Sequence, residues 1–401
     1  MKIVMVFIFA FCVVIFLGNP CNATPYVDYT ELVDVPVCIG SAGNSWGEHT
    51  AKITRNADGV YVAYSVDSGG QKLWRLRKRI GANNWQQVGE GPLGVLPPNL
   101  IWSQTGGYLW LIAWPNNVPH CWLFNGNGTY QTQFDVPGNW YPDSMNYCAM
   151  GVSPYGDVFI SQSRYEDATI RWETYRQSIP EWFSWTTNTG LRHAYLFAFP
   201  IDLYNTEWIA NRDVLWTDLG YNQPPGYTTW CYNSIGYWKN GYNYVNLKQA
   251  VQRPGTSDYV YCYAIDAYRD TAGRIHILYK YTDWQTPLTM RQMVVQNGTI
   301  LADVDMPAGL YAYNARIFQN SSGQFYVLTT SSNQWGALYK ANNSMGTTFN
   351  SPTYLAYGNT ATPFAIYLAR PRAGTPITNY IDGMMTTNPE GTLLHFRING
   401  L

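Results

Sequence analysis

One turn pattern recurs along the chain and limits what it can fold into. From Gly47 to Tyr64 the sequence runs Gly-Glu-His-Thr-Ala-Lys-Ile-Thr-Arg-Asn-Ala-Asp-Gly-Val-Tyr-Val-Ala-Tyr. Two short runs of strand formers flank Asn56-Ala57-Asp58-Gly59, where Gly59 can take the positive φ that a tight antiparallel turn demands. The arrangement returns at Trp102–Gly107 before Tyr108-Leu-Trp-Leu-Ile, and at Val152–Gly156 before Asp157-Val-Phe-Ile-Ser. It returns again at Asp270–Gly273, Asn320–Gly323 and Arg372–Gly374, each ahead of a strand-forming run. The step between consecutive copies is about 50 residues, the period of a blade of four short strands. The interval from Gly156 to Gly273 is a little over two periods and must hold one further, longer blade. The expected fold is therefore all-β, a seven-bladed β-propeller.

The chain ends bear on how the ring closes. The last copy stops after a third strand, Thr392-Leu-Leu-His-Phe-Arg-Ile, while Tyr29–Val37 near the other end is a strand with no sequence partner. Each end lacks what the other has, so the N-terminal strand is expected to complete the last blade and remove two open edges. Before it, Lys2, the apolar run Ile3–Leu17 and Cys21-Asn22-Ala23 have the layout of a secretory signal, too short for a comfortable membrane span. The expectation is a signal peptide at 1–23, a single propeller domain at 24–401 and a secreted, extracellular or periplasmic product.

Only 13% of residues are charged and the net charge is −1, with no basic run. A nucleic-acid partner, which needs clustered Lys and Arg, is not expected, and neither is a membrane span after signal removal. Five cysteines follow the signal: Cys38, Cys121, Cys148, Cys231 and Cys262. Cys121 with Cys148 and Cys231 with Cys262 occupy repeated positions on neighbouring blades, which suits either two staples or buried free thiols. The odd cysteine and an uncharged, aromatic surface also admit self-association. No His or Cys spacing points to a metal, so no cofactor is expected, a structural calcium ion held by loop oxygens being the alternative. Sequons at Asn22, Asn127, Asn297, Asn320 and Asn342 admit a glycoprotein, but a chain this rich in Asn, Ser and Thr produces such sites by chance.

In a propeller the first strand of each blade lines the central channel. Aligning the copies on their turn glycines puts His49, Pro97, Asn146, Tyr263, Tyr313 and Phe364 at one level, with His193 the counterpart in the long blade and Glu48, Tyr147 and Asn314 as neighbours. Two histidines, two tyrosines and an asparagine at one mouth suit acid–base chemistry on a polymer: His49, Tyr263 and Tyr313 as catalytic candidates, Asn146 and His193 as substrate contacts. Arg316 and Arg370, further along two of these strands, have the forked geometry that binds a sugar carboxylate. Polar lining of a solvated channel is the bland alternative. Trp46, Trp182, Trp185 and Trp238 fall near expected strand ends, where an indole can stack on a sugar ring.

The run His49–Tyr64, with Leu73-Trp-Arg-Leu-Arg-Lys-Arg and Asn84-Trp-Gln-Gln-Val, resembles a blade of the BNR-repeat, sialidase-like propellers. The similarity weakens but extends over residues 25–401. That family includes sialidases and secreted seven-bladed polysaccharide lyases, so the resemblance implies a glycan partner. Its Asp-box pattern has one near match, Ser65-Val-Asp-Ser-Gly-Gly-Gln-Lys-Leu-Trp74. Of a sialidase-type arginine triad, Arg55, Arg316 and Arg370 are candidates by residue type alone, and the Ser-His-Asn run of the lyase members is absent. Three functions follow as expectations: cleavage of an acidic polysaccharide by β-elimination (or a sialidase-like glycosidase), glycan binding without catalysis, or an extracellular structural or assembly role.

Overall fold

The computed structural model describes residues 24–38, 49–94, 96–138, 140, 147–163, 169–188, 193–215, 230–239, 244–251, 260–283, 285, 288–307, 314–330, 335–356, 362–388 and 391–401. Within them stand seven four-stranded antiparallel sheets. The innermost strands are β2 (Ile53–Asn56), β6 (Asn99–Ser103), β10 (Tyr147–Val152), β14 (His193–Pro200), β18 (Tyr261–Arg269), β22 (Arg316–Gln319) and β26 (Thr362–Leu368). Each contacts the inner strand of the next blade, so the seven ring a common axis. The protein is a seven-bladed β-propeller.

Six of the blades are consecutive hairpins, and the seventh is sequentially split. β1 (Tyr26–Asp34) pairs antiparallel with β28 (Leu393–Asn399), giving the order β1-β28-β27-β26, where β27 is Ile381–Asn388. The N-terminal strand closes the ring, starting and ending about three residues before its expected bounds. Charge then ties this blade to the first. Arg79 of β4 (Gln71–Gly81) donates to both carboxylate oxygens of Glu31 at 2.8 and 2.6 Å. Asp34 accepts from the Tyr64 hydroxyl at 2.6 Å and from Arg75 at 2.7 Å. Asp382 of β27, fully buried, accepts from Arg55 of β2 at 2.6 Å and from Arg397 at 2.8 and 3.1 Å. Arg55 is thus a fastener between blades 7 and 1, and its forked end has no place in a substrate triad.

Between blades the contacts are apolar and heavily aromatic. Tyr61, Trp74, Leu109, Trp122 and Phe124 fill the space between blades 1 and 2; Phe159, Trp172, Trp208 and Trp238 fill that between blades 3 and 4. Burying such side chains contributes about 1.5–3 kcal/mol each, the main favourable term in a fold with little charge. Trp238 is 1% exposed and stacks on Trp208 at 5.1 Å, which corrects its reading as a sugar platform. Trp182 and Trp185 lie on β13 (Glu181–Asn188), packed on Trp110 and Trp172. Trp46 lies outside the described residues. Cys121, Cys148 and Cys262 are buried thiols outside any disulfide and Cys38 is partly buried, so neither staple is formed. No helix among the described residues is long and apolar enough to cross a membrane.

Candidate functional site: the polar axis of the propeller

The axis is lined by what the first strands turn inward. His49 precedes β2 and is 1% exposed, with its ring edge-on to Tyr195 at 5.2 Å and to Phe197 at 6.4 Å. Tyr195 in turn meets Tyr263 of β18 edge-on at 5.5 Å. Tyr195 bridges the two candidates that the glycine alignment put at one level. It is held at φ +50°, where the pairing of β14 with β15 (Thr206–Leu215) breaks register between Ala194 and Phe197. A bulky residue in the left-handed region costs about 1–3 kcal/mol and persists only where its surroundings impose it.

Beside this trio stands a group of cations. Lys52, fully buried, donates to the Tyr367 hydroxyl at 3.0 Å, with its ammonium 4.3 Å from the centre of that ring. Arg316, also fully buried, donates through Nε to the carbonyl of Ile366 at 2.7 Å and through Nη1 to that of Ala315 at 2.9 Å. Its Nη2 is buried without an acceptor. Arg370 is engaged differently: both its terminal nitrogens grip Asp266, at 2.6 and 2.8 Å. That fork is occupied, so Arg370 positions Asp266 and β22, whose Ile317 N–H also donates to Asp266. A substrate carboxylate would have to displace a buried internal one.

Electrostatics set the histidines. Burial, then the positive charges of Arg372 and Lys52, push His49 down to about 3, so its imidazole is neutral throughout the physiological range. His193 is likewise pushed down to about 3, by burial and by Arg212. It packs on Trp238 at 4.8 Å and on Tyr244 at 5.7 Å, inside blade 4 and away from the His49–Tyr195–Tyr263 group. Asn146, Tyr313 and Glu48 lie outside the described residues; Asn314 is buried.

Lys52, Tyr195, Tyr367, Asp266 and Arg372 were not singled out from the sequence. A signal existed for two of them: Lys52 and Asp266 are lone charges inside strand-forming runs, Ala-Lys-Ile and Ala-Ile-Asp-Ala. Among the described residues no group of three or more His, Cys, Asp or Glu side chains is placed to hold a metal ion.

At the far end of the axis the chain crosses the channel. The connection from β26 to β27 contains a 3-10 turn, Pro371–Ala373, which contacts β6, β10 and β14 on the opposite side of the ring. Thr54 donates to the Ala373 carbonyl at 2.8 Å, and the Arg55 amide to the Thr375 hydroxyl at 3.0 Å. Gly374 sits at φ +78°, and a Cβ there would lie 1.7 Å from the carbonyl oxygen of Trp102. Only glycine permits this crossing.

No protein-family model matches the sequence, and no curated protein matches it either. Solved structures do. A polysaccharide lyase, the PL25 ulvan lyase bound to -[GlcA(1-4)Rha3S]-, superposes with TM-score 0.57 at 12% identity, covering 91% of this chain and 94% of that one. The polysaccharide lyase Uly1 superposes with TM-score 0.58 at 10% identity, covering 94% of this chain and 100% of that one. The likeness is one of fold. At these identities it carries over no catalytic residue, and membership of the BNR or sialidase-like group is not established by it.

Proposed function

We propose that the protein is a secreted carbohydrate-active propeller that cleaves an acidic polysaccharide by β-elimination. The observation that carries this is the apposition of His49, Tyr195 and Tyr263 about one axis, with the Lys52 charge acting on His49 and Arg316 sharing the Tyr367 ring with Lys52. Elimination beside a uronic carboxylate needs three things: a base for the proton next to the carboxylate, positive charge for the enolate that forms, and a donor for the departing oxygen. His49 is neutral, and the carboxylate that the substrate brings would offset the burial and cations that make it a weak base. Lys52 and Arg316 supply positive charge, Arg316 with an unused N–H, and a phenol, Tyr263 or Tyr313, supplies the proton. Asn146 and His193 remain proposed substrate contacts, with His193 the weaker because of where it packs. The fold shared with two polysaccharide lyases supports this substrate class.

A second reading has its own support. His49 and Lys52 are almost wholly buried, as expected of an axis that organises the ring while glycan is bound without turnover. Incubation with uronate-containing polysaccharides separates the two. Unsaturated product absorbing in the ultraviolet supports cleavage, and binding without product supports the lectin-like role.

A further inference from the structure

The crossing segment leaves a cavity of about 510 Å³ between itself and blades 2 to 5, within the usual range for ligand sites. Its walls come from the C-terminal ends of the first strands, including Trp102, Phe199 and Tyr268, whereas His49 and Tyr263 stand at the strand beginnings. Arg372 projects into it from the 3-10 turn, with its guanidinium 5.4 Å from the centre of the Phe197 ring. Its Nη1 is buried and has no hydrogen-bond acceptor. Among the described residues no carboxylate lies at ion-pair distance, since Asp266, the acid nearest in effect, is held by Arg370. Burial and the like charges of Arg370 and Arg316 drive the Arg372 guanidinium down to about 9, the mark of a cation lacking its counter-charge.

We infer that this cavity binds a small acidic saccharide, with its carboxylate or sulfate on the free edge of Arg372 and its ring against Trp102, Phe199 or Tyr268. A planar guanidinium with an open N–H edge matches the two oxygens of such an anion, and aromatic walls suit the apolar face of a sugar. The inference rests on the glycan reading for the saccharide and extends the same axis, because Arg372 acts on His49 and both lie against the Phe197 ring. It implies that the propeller holds a product or chain end next to the proposed acid–base group.

The test is calorimetric titration of the full chain with glucuronate, glucose and sulfate at constant ionic strength, repeated on Arg372→Gln. Glucuronate should bind, glucose should not, and Arg372→Gln should weaken glucuronate by about tenfold or more, the size of one lost charge-assisted contact. Equal affinity for glucose, or unchanged glucuronate affinity in Arg372→Gln, overturns the site. Sulfate binding without glucuronate binding overturns the saccharide and leaves a free inorganic anion as occupant. Should the variant not fold, the ¹⁵Nε signal of Arg372 in the unmutated protein must shift on adding glucuronate, and its failure to move is equally fatal. The polymer-cleavage assay is scored apart: no cleavage with glucuronate binding intact sinks the lyase reading and spares this site, and the reverse sinks only this site.

Discussion

Asp382→Asn removes one charge and almost no volume, which makes it the sharpest test of how the ring is fastened. The carboxylate is fully buried and faces Arg55 at 2.6 Å, Arg397 at 2.8 Å and His395 at 3.3 Å. Burial alone would raise its pKa, but His395 and Arg397 overcome this and hold it well below the usual carboxylate range. The amide would leave two guanidinium groups without their counter-ion across the seam between blades 7 and 1. Breaking a buried pair in this way costs about 3–5 kcal/mol. With an unfolding entropy of about 2 cal/mol/K per residue, that corresponds to a fall of about 4–6 °C in melting temperature for a fold of this size. Calorimetry on both proteins reads it. The pH dependence adds a sign. A carboxylate whose pKa is lower folded than unfolded contributes fully above about pH 4 and loses that contribution as pH falls further. His49 and His193, held neutral, make both proteins lose stability as pH drops below about 6.5, so their contribution cancels in the difference between the two, which reports Asp382 together with the His395 and arginine groups that touch it. That difference should shrink as pH falls below about 4. A variant melting within 1 °C of the parent at pH 7 would refute the fastener.

Deleting residues 24–37 removes β1 with Glu31 and Asp34, and should give a protein that aggregates or melts far below the full chain; equal melting curves would rule out closure by this strand. Thiol labelling should modify Cys38 first and leave Cys121, Cys148 and Cys262 unreacted until the fold opens, because burial raises all three and takes Cys148 to about 12. Peptide mapping of the alkylated protein reads this, and early labelling of Cys148 would contradict it. Gly374→Ala should destabilise by about 3 kcal/mol or more, since the backbone at Trp102 must move as well as the left-handed φ be paid in strain. Denaturant unfolding reads the loss, and one under about 1 kcal/mol would mean the crossing segment yields freely.

Six of the seven blades were legible because their inner hairpins use glycine in the left-handed region or beyond: Gly59, Gly107, Gly156, Gly273, Gly323 and Gly374 all have positive φ. Blade 4 escaped the pattern because its turn solves the same problem with side chains. Asp202 accepts from the Tyr204 and Asn205 amides at 2.8 and 2.9 Å, and no glycine is needed. The site was less legible. Glycine alignment fixes the level of a residue along the axis, and His49 and Tyr263 do both meet Tyr195. It says nothing about which way a side chain turns or what already occupies it. His193 therefore ended inside its blade, Arg370 was found bound to Asp266, and Arg55 to Asp382. Ion pairs between residues 104 or more apart in sequence leave no local trace. Nor does the strained φ of Tyr195.

Proton transfer at the channel axis is tested most directly by ultraviolet-monitored turnover of a uronate polysaccharide by the parent, His49→Gln and Tyr263→Phe. The parent should release unsaturated ends. His49→Gln should lower the rate by about 10²-fold or more, as loss of a general base does, with binding of the polymer largely kept. Tyr263→Phe should lower it similarly if this phenol donates the proton. Cleavage by the parent that both variants retain at full rate would place the chemistry elsewhere, and a parent that binds the polymer yet never yields an unsaturated end would contradict the proposed elimination.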